Sequence, residues 1–198
     1  MSKAKSSVTT DFVLPIVVLV LICAVMSGLL AFTNGVTAPI IEEAERAANT
    51  AARKEVMPLA DAADGADPFE EVKPENLPES AAANMPASIT GVYKATNSEG
   101  DTVGYTFSIT TQGYGGKGTL KMAVGIDMDG KITGTKVLSH KETAGLGSKI
   151  TTDAFQGQFL GKDANLDGVD NITGATFSSN YFRAAIADAY TAYDLVTG

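Results

Sequence analysis

The chain has 198 residues and a net charge of −8, with 23 acidic side chains against 15 basic ones. That balance argues against a nucleic-acid surface, which needs clustered basic residues. The single Cys and single His leave no intramolecular disulfide, no Cys-ligated iron–sulfur cluster and no Cys/His zinc site, so any redox chemistry would come from a bound organic cofactor.

The first element in chain order is an apolar run from Phe12 to Phe32, 21 positions without a charge. At about 1.5 Å per residue a helix of that length covers roughly 30 Å, the thickness of a bilayer core. Pro15 lies near its start, where a helix tolerates it. Lys3 and Lys5 precede the run and Glu42, Glu43 and Glu45 follow it, which predicts residues 1–11 in the cytoplasm and those beyond about 35 outside. A cleaved signal would carry a shorter apolar core and a small-x-small site, and Ala31-Phe32-Thr33 is a poor one. A lipoprotein anchor needs a small residue before its Cys, but Ile22 precedes Cys23, which reads as an apolar packing residue. The run is therefore expected to be an uncleaved transmembrane helix, 12–32.

Residues 33–88 read as a connector. An alanine-rich helix is expected over 38–56, exposed along its length and ended by Met57-Pro58. Residues 59–88 are acidic and carry several prolines, and are expected to be partly ordered at best.

From Ile89 the pattern turns to strands, over 89–95, 102–110, 119–127 and 131–138. Turns at Asn97–Asp101 and Asp129-Gly130 separate them, as in an antiparallel meander. A short helix over 151–160 carries Phe155 and Phe159 on one face, and a last amphipathic helix covers 178–196. Strands followed by helices predict an α+β domain over 89–198, an antiparallel sheet with flanking helices.

Three segments invite a site reading. Residues 112–118 are glycine-rich, yet Thr111 and Gly118 break the Walker pattern, leaving a flexible hairpin connector or a lining loop. Residues 163–168 open like a calcium loop, but Gly174 stands where its bidentate Glu belongs, so no metal site is expected. His140 has no nucleophile or second base to work with, which argues against a hydrolase and leaves a structural role or positioning of the Glu142-Thr143 loop.

The most informative stretch is residues 170–179, Asp-Asn-Ile-Thr-Gly-Ala-Thr-Phe-Ser-Ser, a small-residue loop that opens the last helix. Gly174 and Ala175 clear the space around the Thr176 hydroxyl, and a helix N-terminus offers free N–H groups to a phosphate. On residue types alone, Thr176 also reads as a plain Ser/Thr cap after a glycine turn.

The Asp-x-x-Thr-Gly-Ala-Thr pattern resembles the flavinylation motif of the FMN-binding domain family, in which the last Thr carries FMN through a phosphoester. The block Glu142-Thr143-Ala144-Gly145-Leu146-Gly147 is similar to the Glu-Thr-Pro-Gly-Leu-Gly segment of G subunits of Rnf complexes and C subunits of sodium-translocating NADH:quinone reductases. Ala144 departs from the usual Pro, which puts the stiffness of that loop in doubt but removes no reactive group.

The resemblance implies FMN covalently held by Thr176, with Thr173, Gly174, Ala175 and Ser178 around the tether. Glu142 and Thr143 would hydrogen-bond the flavin, Gly145, Leu146 and Gly147 would approach its ring, His140 would position that loop, and Gly113 and Tyr114 would line the site. A separate flavin transferase using FAD would recognise Asp170 and Thr176. No catalytic acid or base is implied. The function implied is that of an electron-transfer subunit of a membrane-bound, ion-translocating ferredoxin:NAD oxidoreductase, with other membrane subunits as partners. A C subunit of the quinone reductase, a stand-alone extracytoplasmic flavin shuttle and a non-redox membrane-anchored binding module are the alternatives.

Overall fold

The computed structural model describes residues 13–62 and 66–198. Phe12 and the basic flank at Lys3 and Lys5 lie outside the described residues. The chain divides into two compact units, Met1–Ala47 and Ala48–Gly198.

In the first unit the backbone is helical from Leu14, in a helix α1 that runs to Val56. The helix is long and apolar enough to cross a membrane, and no part of its apolar window is buried by the protein. Its large apolar side chains, from Leu14 to Phe32, all face outward. A helix that is apolar on every side and uncovered matches a bilayer span better than a soluble surface helix. Its polar groups are satisfied within the helix: the Thr33 hydroxyl donates to Leu29 O at 2.8 Å and the Thr37 hydroxyl to Thr33 O at 2.9 Å.

The second unit is built on a five-stranded antiparallel sheet in the order β1-β2-β3-β4-β5. Its strands are β1 Phe69–Glu71, β2 Ile89–Thr96, β3 Thr102–Gly113, β4 Gly116–Asp127 and β5 Ile132–His140. Neighbours in sequence are neighbours in space. The tight turns are made by Asx chemistry: the Asn97 side-chain oxygen accepts the Glu99 and Asp101 amides, and an Asp127 carboxylate oxygen accepts those of Asp129 and Lys131. Gly100 and Gly130 supply the left-handed residues, at φ +88° and +72°.

Strand alternation divides the sheet into two unlike faces. Leu120, Met122, Val124 and Ile126 of β4, with Phe107 and Ile109 of β3, form the face covered by α4 (Thr176–Thr197). Helix α4 answers with Phe182, Ala185, Ile186, Ala189, Tyr190 and Tyr193, the spacing of one helical stripe. Phe155, Phe159 and Phe182 close this core, with ring centroids 4.9 to 5.4 Å apart. The opposite face is lined by small residues. Gly125 and Gly134 are cross-strand partners, and a Cβ at Gly134 would fall 2.6 Å from the Val56 Cα. The end of α1 therefore packs backbone to sheet, with Ala52 and Val56 against Ala123 and the Thr133 hydroxyl donating to Val56 O at 2.5 Å.

Four details differ from the sequence reading. The end of α1 is buried rather than an exposed connector, as the glycine pair admits it. Within residues 59–88 stand β1, a 3-10 turn at Pro74–Asn76 and α2 (Glu79–Asn84). Strand β1 exists because Phe69 is buried with Met57 and Ala95 while pairing with β2. Residues 112–118 form no loose connector: β3 and β4 run on until Gly113 faces Gly116. The expected helix over 151–160 is broken into a short α3 (Asp153–Gln156) and a 3-10 turn, Gly157–Phe159.

Candidate functional site

Three segments distant in sequence meet at one end of the sheet: the β3–β4 hairpin, the loop after β5 and the first turn of α4. Glu142 joins them. One of its carboxylate oxygens accepts the Tyr114 amide at 2.8 Å, and the other accepts the Ser178 hydroxyl in a short hydrogen bond. Gln112 adds a second tie to α4, its amide nitrogen donating to the Tyr181 hydroxyl at 3.0 Å. His140 caps the end of β5 by accepting the Glu142 amide on Nδ1 at 3.2 Å.

The loop over 143–148 is folded on itself. The Thr143 carbonyl accepts the Leu146 and Ser148 amides, and the Gly145 amide donates to the Ser148 hydroxyl at 3.0 Å. Gly145 at φ +76° makes the turn possible. The adjoining loop, 169–175, hangs on α4 by side chains. The buried Ser179 hydroxyl accepts the Ile172 amide at 3.0 Å and donates to Ala175 O at 3.1 Å, while Arg183 donates to Val169 O at 2.8 Å. Asp170 receives its tie through the backbone, donating to the Gln158 side chain at 2.8 Å.

Thr176 is the first residue of α4, and the cap position belongs to Ala175, which makes no side-chain cap bond. The Ser/Thr-cap reading of Thr176 is thereby replaced: the chain turns into the helix one residue earlier, with Ala175 at φ −134° and ψ 41°. The first helical bond runs from the Ser179 amide to Ala175 O. The amides of Thr176, Phe177 and Ser178 precede it, so the helix presents its unpaired N–H groups beside an exposed hydroxyl. Around this point lie exposed apolar groups, with Tyr114 63 %, Leu146 48 % and Phe177 67 % exposed.

The sequence-selected residues separate by burial, with His140 half-buried and Asp170 exposed. Thr143, Gly145, Leu146, Thr173, Gly174, Thr176 and Tyr114 are exposed. Glu142, Ser178, Ala175, Gly113 and Gly147 are buried, the first two bound to each other. Ser179, Arg183, Gln158 and Ser148 also hold these loops. Nothing in their own sequence positions marks the partners they reach.

Residues 113–191 match the family described as FMN-binding domain. Across 183 residues the chain is 36 % identical to the G subunit of the Na(+)-translocating ferredoxin:NAD(+) oxidoreductase complex of Acetobacterium woodii, covering 91 % of this chain and 84 % of that protein. Across 191 residues it is 35 % identical to the G subunit of the ion-translocating oxidoreductase complex of Methanosarcina acetivorans, covering 92 % and 93 %. The chain belongs to the G-subunit family of ion-translocating oxidoreductase complexes. A further member, the G subunit of the proton-translocating ferredoxin:NAD(+) oxidoreductase complex of Clostridium ljungdahlii, is 31 % identical over 107 residues, 49 % of this chain and 57 % of that one.

The FMN-binding match begins at Gly113, in the hairpin beside Glu142, and ends within α4. The residues at the α4 N-terminus suit such a group. An exposed threonine and first-turn amides would suit an anionic phosphate, and the ground around them is open: a Cβ at Gly145 would touch nothing within 4 Å, and one at Gly174 only Leu146 at 3.7 Å.

Proposed function

We propose that this member of the G-subunit family carries electrons within a membrane-bound ion-translocating oxidoreductase through FMN esterified to Thr176. The observation that supports this most is the position of Thr176, whose hydroxyl stands exposed at the start of a 22-residue helix without serving as its cap. Thr176 Oγ1 would take the FMN phosphoryl group from FAD. The Oγ1–P bond forms as the diphosphate bond breaks, AMP departs and the hydroxyl loses its proton. The amides of the first turn would hold the phosphate, and the positive end of the helix dipole would favour it there.

FMN supplies the electron-relay chemistry, and no residue of this chain is needed as an acid or base. Thr143, Gly145, Leu146, Thr173 and Tyr114, all exposed around the attachment point, are the residues proposed to line the flavin. Asp170 stands on the rim of an open hollow of about 330 Å3 with Lys149, Phe155 and Ile172, where a flavin transferase would read it together with Thr176. The apolar helix anchors the chain in the membrane. By the distribution of Lys3 and Lys5 against Glu42, Glu43 and Glu45, the FMN-binding domain would lie on the extracytoplasmic side, beside the other subunits of the complex.

Intact-mass spectrometry of the full chain coexpressed with a flavin transferase tests the reading. The wild type is expected to gain one FMN less one water, and Thr176→Ala none. A wild-type chain that stays unmodified while a known acceptor protein is loaded in the same cells rules the attachment out.

A further inference from the structure

Glu142 is the only acidic side chain that is buried among the described residues. Burying a carboxylate is costly unless it is fully hydrogen-bonded, so its partners explain its place. Both oxygens are occupied by this chain. Tyr114 N–H, 28 residues away, donates to one, and the Ser178 hydroxyl, 36 residues away, donates to the other. The surroundings are shaped to admit it. A Cβ at Gly113 would lie 2.5 Å from one carboxylate oxygen, and a Cβ at Gly147 would lie 2.6 Å from the other.

We propose that Glu142 is a positioning residue that clamps the β3–β4 hairpin to the first turn of α4 and so fixes how the Thr176 hydroxyl is presented. It works through the Ser178 hydroxyl, two positions beyond Thr176. The two glycines exist for the carboxylate rather than for the cofactor. The consequence for flavin loading rests on the attachment reading above; the clamp itself is a property of the unloaded chain. A glutamine at this position retains an acceptor for Tyr114 N–H, and its amide can donate to a Ser178 hydroxyl turned to accept. An alanine retains neither.

Amide hydrogen exchange on the unloaded full-length protein in detergent reads the clamp. Glu142→Ala is expected to speed exchange at Tyr114 by about tenfold or more, with Glu142→Gln within about threefold of wild type. Flavin loading by a transferase with FAD, followed by intact mass, reads the consequence. Glu142→Ala is expected to load about tenfold more slowly at equal folded fraction, Glu142→Gln to restore the rate, and Ser178→Ala added to Glu142→Ala to slow it no further.

If Glu142→Ala fails to fold, Ser178→Ala alone carries the test and is expected to raise exchange in the hairpin and slow loading. Wild-type exchange and loading in the alanine variants overturn the proposal. So does a Glu142→Gln variant as defective as alanine, because that outcome assigns the role to the charge. If the wild type takes up no flavin, the attachment reading fails, and the exchange comparison still decides the clamp.

Discussion

The two halves of α4 do different work with the same backbone. From Phe182 onward the helix presses an apolar stripe onto the sheet, and its residues recur at helical spacing. Before Phe182 its contacts are polar and singular: Ser178 to Glu142, Ser179 to Ile172 and Ala175, Tyr181 to Gln112. The apolar half is stabilised mainly by area and volume, with single polar ties from Arg183, Asp188 and Tyr190 added to them. The polar half is held by individual hydrogen bonds, and a site needs that arrangement, because it leaves an exposed hydroxyl at a fixed place without filling the space around it. Stability and presentation of Thr176 should therefore be separable by mutation.

The sharpest break in stability belongs to the apolar half. Phe182→Ala removes a fully buried ring from the Phe155–Phe159 cluster, and about 3–5 kcal/mol of unfolding free energy should be lost, as measured by urea denaturation in detergent. Ser179→Ala strikes the polar half. It removes the acceptor of the Ile172 amide, costing about 1–3 kcal/mol, with exchange at Ile172 accelerated ahead of the core amides. An equal loss of protection throughout α4 would show that the halves are not separable.

Tyr190 sits at the far end of the apolar half, its hydroxyl within hydrogen-bond reach of Gly130 O at 2.9 Å and Lys162 O at 3.1 Å. Tyr190→Phe should cost about 1 kcal/mol. Burial also pushes the Tyr190 phenol well above its ordinary value, with Asp163 and Asp127 adding to the shift. The folded chain thus keeps a proton that the unfolded chain gives up near pH 10, and this contribution to stability declines as pH rises above about 10. Burial raises the Tyr193 phenol as well, so phenolate absorbance should show both tyrosines titrating late, Tyr190 last, and Tyr190→Phe should remove the latest step. Thr176→Ala is the smallest change expected in stability, within about 0.5 kcal/mol, because Ala175 and not Thr176 occupies the cap.

Much of this was legible in the chain. The meander from Ile89 to His140 and the stripe on α4 are written as alternation and helical spacing, so local pattern suffices. The motif at residues 170–176 and the Glu142-Thr143 block stand out in the sequence, and the fold brings the two segments together. The partners were not legible. Glu142 meets Ser178 and Tyr114 only after the sheet has brought distant segments together, and a buried carboxylate looks in sequence like a solvated turn. Strand β1 has three residues, too few for any period, and forms because Phe69 finds Met57 and Ala95. The cap shifted by one residue from Thr176 to Ala175 for a related reason. Ser179, reaching back to Ile172, sets where the loop turns into the helix.

The sequential order of the strands also bears on how this domain is made. Each of β2 to β5 pairs with the strand just before it, so the sheet can zip up hairpin by hairpin as the chain emerges. The helix that covers its apolar face is α4, encoded after every strand. During biosynthesis the row from Phe107 to Ile126 therefore stays bare until that helix emerges. The interval is one of exposure to aggregation or to chaperones, and slowing translation just before α4 would lengthen it without altering a single contact of the finished fold.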